Sequence, residues 1–122
     1  MKKLPAGELE NLVLEVVWAA SGPVTPRDVH GALSPTRNLA YTTVMTILVR
    51  LWQKGVLQRE PAGKAFAYSP LISKEERAAT RMSELLSSAG DHAVALAHFV
   101  QSLPADQVDD LQRALRRSRA GR

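Results

Sequence analysis

Cysteine is absent from this chain of 122 residues. That excludes a disulfide framework, a thiolate metal site and a cysteine nucleophile, and it suits a reducing cytoplasm. Also missing is any apolar run near the 18 or so residues that a bilayer-spanning helix needs, so no membrane partner is expected. The start, Met1-Lys2-Lys3-Leu4-Pro5, has the charge of a secretory leader, but Glu8 and Glu10 interrupt the apolar stretch that should follow. His30, His92 and His98 form no H-x-x-x-H, H-E-x-x-H or Cys/His cluster and read as structural or surface residues. No G-x-S-x-G, Walker loop or G-x-G-x-x-G occurs. The adjacent carboxylates Glu75 and Glu76 are explained by a helix N-terminus before an acid/base pair is needed. An enzyme is the least favoured class, and no cofactor or metal is expected. With 45% hydrophobic residues the chain can bury one moderate core or two small ones, which leaves little room for a large cleft.

The most telling absence is local. The formal net charge is only +4, yet from Val29 through Arg59 there is no acidic residue, while Arg37, Arg50, Lys54 and Arg59 are all present. A polyanion can approach that segment without meeting a carboxylate. A basic solvated face is the other reading of the same charges.

Inside that segment, residues 38–55 read as an amphipathic helix. Tyr41, Val44, Met45, Leu48, Leu51 and Trp52 recur at helical spacing as an apolar stripe. The other face carries Thr42, Thr43, Thr46 and Arg50 where Glu, Lys and Gln are usual. Threonine is a poor helix former because its branched Cβ loses rotamer freedom, so three on one face imply a compensating role. Hydroxyls for phosphates, methyls for thymine and an Arg that can fork onto guanine suit a helix in a DNA major groove. Core packing is the default for Trp18 and Trp52, with a small-molecule pocket as the alternative.

Around this helix the chain reads as a winged helix. A first helix covers roughly residues 7–20, with Leu9, Leu12, Val13, Val16, Val17 and Ala20 on one face, and Ser21-Gly22-Pro23 stops it. Thr25-Pro26-Arg27-Asp28 has the pattern of an N-cap, a proline at the first helical position and an acid at the third, opening a short helix to about Leu33. Two helices across a tight turn, the second with the polar face, make a helix-turn-helix. Gly55 has the place of a left-handed C-cap. The period then changes to two: Val56–Glu60 and Ala65–Ser69 read as strands joined by Pro61-Ala62-Gly63-Lys64. Lys64 at the tip of this wing is placed for a phosphate, or is a solvated turn lysine.

Beyond Pro70, Ser73-Lys74-Glu75-Glu76 has capping-box spacing, and Ala78, Met82, Leu85, Leu86 and Ala89 form a stripe ended by Gly90. Asp91 is placed to cap a helix bearing Leu96, Phe99, Val100 and Leu103. After Pro104, Val108, Leu111 and Leu115 line a last helix, and Arg113, Arg116, Arg117 and Arg119 suit the negative end of its dipole. Three such helices cannot shield their own stripes and ask for a partner, most simply a second copy of the chain. The expected fold is therefore mainly α with a small β-hairpin wing: a winged-helix DNA-binding domain over 1–70 and a helical dimerisation domain over 71–122.

These residues resemble a known family. The run W-A-A-S-G-P-V-T-P-R-D-V-H-G-A-L, then L-A-Y-T-T-V-M-T-I-L-V-R-L-W-Q-K-G-V-L and the wing ending A-F-A-Y-S-P are similar to the penicillinase-repressor (BlaI/MecI/CopY) family of bacterial transcription repressors, over about Leu9 to Leu115. The resemblance implies a homodimer on a palindromic duplex operator of TACA/TGTA-type half-sites. Thr42, Thr43, Thr46 and Arg50 would then lie at the major groove and Lys64 on the wing; Tyr41 and Arg37, in the same acid-free segment, are expected to join them at the DNA. The copper-responsive branch uses a C-terminal cysteine metal site, which a chain without cysteine lacks. The β-lactam branch is inactivated by a regulatory protease at an Asn-Phe bond, and the matching position here is His98-Phe99 within A-L-A-H-F-V. The competing classes are a ligand-responsive regulator of the MarR type and a winged helix used for protein contacts alone.

Overall fold

A computed structural model of the chain describes residues 6–121, so the leader-like Met1–Pro5 stretch lies outside the described residues. The elements run α1 (Ala6–Ala19), α2 (Pro26–Leu33), α3 (Tyr41–Gln53), β1 (Leu57–Ala62), β2 (Ala65–Pro70), α4 (Lys74–Ser87), α5 (His92–Ser102) and α6 (Ala105–Ala120). They divide into two compact units, Met1–Ala78 and Ala79–Arg122, so that α4 begins in one and ends in the other.

In the first unit α1, α2, α3 and the hairpin close around one core. α2 starts where its local chemistry says it should: the Asp28 N–H donates to Thr25 Oγ1 at 3.2 Å and the Thr25 N–H donates to the Asp28 carboxylate at 3.0 Å, with Pro26 in the first turn. The bond from the Thr25 backbone, then that from its side chain, holds the Asp28 carboxyl below its ordinary value. α3 ends in a Schellman motif, in which Gly55 takes φ +80° and the Val56 N–H donates to the Leu51 carbonyl at 3.0 Å.

The hairpin is tighter than the sequence suggests. Its strands pair antiparallel from Leu57↔Pro70 to Ala62↔Ala65, leaving Gly63-Lys64 as a two-residue turn in place of the expected four. Gly63 has φ +63° at the first central position, the requirement of a type II′ turn. Pro61 is tolerated inside β1 because that strand lies at the edge. The inner neighbour of β2 is Val24, which exchanges backbone hydrogen bonds of 2.8 and 2.7 Å with Tyr68. A one-residue strand has no period, and nothing in the sequence announced it.

The core differs from expectation by rotation. α1 buries Leu14 as well as Val13 and Val17, while Leu9, Leu12, Val16 and Ala20 are only partly covered. α3 buries Val44, Ile47, Leu48 and Leu51, whereas Tyr41, Met45 and Trp52 of the expected stripe are about two-fifths exposed. At about 100° per residue the four buried positions span roughly 100° of the helix, which is all that the facing elements cover. Trp18 is half-buried, and its indole N–H donates to the Ile72 carbonyl at 3.3 Å.

The second unit is built differently. Gly90 (φ +76°) ends the stretch after α4, and the Asp91 side chain caps α5 by accepting from the Val94 N–H at 3.1 Å. The three helices meet sparsely. None of the described residues of this unit is buried. No helix among the described residues is long and apolar enough to cross a membrane.

Candidate nucleic-acid interface

The polar side of α3 follows from its packing. With Val44, Ile47, Leu48 and Leu51 turned inward, Thr42, Thr46 and Arg50 are exposed and Thr43 is half-buried beside them. The four line one shallow groove of ≈ 240 Å³ together with Ile47 of the same helix and Leu9 and Glu10 of α1. Their chemistry is not uniform. The Thr46 hydroxyl donates to the Thr42 carbonyl at 2.9 Å, the back-bond that branched hydroxyl residues make in helices. Thr46 therefore presents an acceptor lone pair and a methyl. The hydroxyls of Thr42 and Thr43 and the guanidinium of Arg50 have no hydrogen-bond partner among the described residues, so they remain free to donate outward.

The other expected contact residues are spread around this groove. Tyr41 opens α3 and meets the edge of His30 at 5.8 Å, with the rings inclined by 80°. His30 in turn sits 2.9 Å from the Leu39 carbonyl, which can only accept, so Nε2 carries the proton and ties α2 to the approach of α3. Arg37 lies exposed in the turn between these helices, and Lys64 is exposed at the wing tip. Thr42, Thr43, Thr46 and Arg50 thus share one surface, while Arg37, Tyr41 and Lys64 lie outside that groove.

Two of the four cations in the acid-free segment are already engaged. Lys54 is 2.8 Å from Glu10, whose other oxygen accepts from Arg77 at 3.1 Å. Glu10 is buried, and the Arg77 side chain is only 11% exposed. The two cations neutralise the one carboxylate that lines the α3 groove, and they join α1, the end of α3 and the first turns of α4. Arg59 lies between two rings, 3.5 Å from the Trp52 centroid and 3.8 Å from that of Phe66, and donates to the Tyr68 hydroxyl at 3.3 Å. Trp52 is thus neither core nor pocket lining but one jaw of a cation–π clamp between α3 and the wing. Arg37 and Arg50 are left as the cations of that segment whose side chains have no ion pair, hydrogen bond or ring contact among the described residues.

Glu10 and Arg77 escaped the sequence reading, although a signal for Glu10 was present. With Val13, Leu14 and Val17 it completes an i, i+3, i+4, i+7 stripe, so a carboxylate stands on a core face and needs a cation. Nothing local could name Arg77, which is 67 residues away.

Comparison with known proteins decides what this arrangement belongs to. Residues 6–117 match the model of the penicillinase repressor family. A transcriptional regulator BlaI of Mycobacterium tuberculosis is 42% identical over 118 residues, which is 94% of this chain and 86% of that protein. The chain belongs to the penicillinase-repressor family. The penicillinase repressor of Bacillus licheniformis is 34% identical over 77 residues, 62% of this chain and 59% of the relative. The solution structure of the DNA-binding domain of the repressor BlaI superposes with a TM-score of 0.52 at 34% identity, covering 62% of this chain and 93% of that domain. Family and fold are those of DNA-binding winged-helix transcriptional repressors, not of enzymes.

Proposed function

We propose that this repressor acts as a homodimer on an inverted repeat, each copy placing the Thr42, Thr43, Thr46 and Arg50 face of α3 in the major groove of one half-site. The observation that carries this reading is the convergence of those four side chains on one exposed groove whose only carboxylate is neutralised by two cations. Arg37 and Tyr41, at the N-terminal end of α3, and Lys64, on the wing, contact the flanking backbone. The family resemblance supplies TACA/TGTA-type half-sites, and two-fold symmetry supplies their spacing of about 10 bp or a multiple.

Dimerisation falls to the second unit. Met82, Leu85, Leu86, Leu96 and Phe99 line an open, largely apolar groove of ≈ 540 Å³ formed by the end of α4 and by α5. Val100 and Leu115 are exposed, and Leu103, Val108 and Leu111 are only partly covered. Covering these faces with a second copy buries them. The same unit houses control: His98 and Phe99 are exposed in the middle of α5, a helix with no buried residue, so local opening to a protease costs little. A cut there separates α6 from α4 and unpairs two otherwise intact winged units.

The test starts by selecting bound DNA from a random duplex pool. On the selected duplex, Arg50→Ala and Thr46→Ala weaken binding by about 1 to 3 kcal/mol without unfolding the chain. Lys64→Ala weakens all duplexes alike and lowers the salt slope by about one unit. Unchanged affinity in both α3 variants removes the assignment of that face. A dimer that stays bound after an engineered cut at His98-Phe99 removes proteolytic release and leaves a ligand or a partner protein as the signal.

A further inference from the structure

α3 exposes more apolar surface than its polar groove explains. Tyr41, Met45 and Trp52 fall within about 40° of one another on the helix, between the buried arc and the threonines. Two of the three have partners: Tyr41 stands against His30, and Trp52 carries Arg59. Met45 has neither, joins no part of the core and is 41% exposed. Val49 lies one turn further along the same ridge and is half-buried. Thr42 and Thr46 border Met45 on the side that leads to Arg50.

We infer that Met45 is a specificity-determining residue of the DNA interface, its thioether chain packing on the C5-methyl groups of thymines in each half-site. The inference rests on the placement of α3 in the major groove. In that groove the thymine methyl is the one apolar group on the base edges, and an apolar side chain among hydroxyls has it as the natural counterpart. The side chain is unbranched and polarisable, so it can follow a methyl whose position varies with DNA twist. Continuity with the threonine and arginine face, and the lack of any acidic residue from Val29 to Arg59, make DNA the fitting occupant over a protein surface.

The test uses the full chain and the duplex selected from the random pool, with each thymine replaced in turn by uracil, which differs only in lacking the methyl. At one or more positions per half-site the wild-type chain should lose about fourfold in affinity, the worth of one buried methyl-sized group. In Met45→Ala, checked for an unchanged melting curve, that uracil penalty should vanish, while Arg50→Ala should retain it. A penalty that persists undiminished in Met45→Ala, or the absence of any penalty in the wild type, overturns the inference and leaves the groove assignment standing. Failure to select any duplex overturns both.

Discussion

In the winged unit Leu14, Leu48, Leu51 and Leu57 are fully buried, whereas in the helices that follow Met82, Leu85, Leu96 and Phe99 recur at equally helical spacing and stay exposed. Periodicity is the same signal in both places, and its outcome depends on whether the chain supplies a second layer. Three helices and a hairpin enclose each other around Val13, Val44 and Tyr68. α4, α5 and α6 meet too sparsely to do so, so their stripes remain surface until something else covers them. On the proposed reading, one unit is stable by its own packing and the other acquires stability from association.

Core truncation should separate the two units most visibly. Leu48→Ala should destabilise the winged unit by about 2 to 5 kcal/mol at any protein concentration. Leu86→Ala, from the second groove, should instead lower the melting temperature in a concentration-dependent way by loosening the dimer. Thermal melts of both variants over a hundredfold dilution series separate the two. Equal, concentration-independent losses would mean that the two units are stabilised alike.

A smaller effect is expected at the charge cluster. Glu10→Ala leaves Arg77 buried without its carboxylate and should cost roughly 1.5 to 3 kcal/mol in chemical denaturation of the winged unit. A neutral result would mean that Arg77 swings out to water. Smallest is the cap of α2: Thr25→Ala should cost about 1 kcal/mol. Because the folded carboxyl of Asp28 sits below its ordinary value, the cap's contribution is present above the normal carboxylate range and is lost as pH falls through the folded value. The gap between wild type and Thr25→Ala should accordingly narrow in acid, and a gap that widens would contradict the capping assignment.

What was legible in the sequence was local. The Thr25–Asp28 box, the Gly55 cap, the reciprocal bonds of Ser73 and Glu76 and the Asp91 cap are each made within a few residues, and each is found where its residues stand. The Thr42, Thr43, Thr46 and Arg50 face was legible because threonine is costly in a helix. The rotation of α3 was not, since Met45 and Ile47 are both apolar and only the facing elements decide which is covered. Contacts between distant segments were equally hidden: Val24 with Tyr68, Glu10 with Arg77, and Arg59 between Trp52 and Phe66 bring together groups whose meeting is fixed by the closed fold.

At stake is the proposed pairing of one self-sufficient DNA-binding unit through helices that lack a partner of their own. Its most direct measurement is sedimentation equilibrium of the full chain and of a fragment ending at Ala78, each alone and on the selected duplex. Ending at Ala78 keeps Ile72 for Trp18 and Arg77 for Glu10, so the fragment retains the bonds of the winged unit. The full chain should be a dimer at micromolar concentration and place two copies on one duplex. The fragment should be a folded monomer that binds more weakly by a factor on the order of 10² or more. A full chain that sediments as a monomer on and off DNA, or a fragment that dimerises and binds as tightly as the whole, would contradict the account.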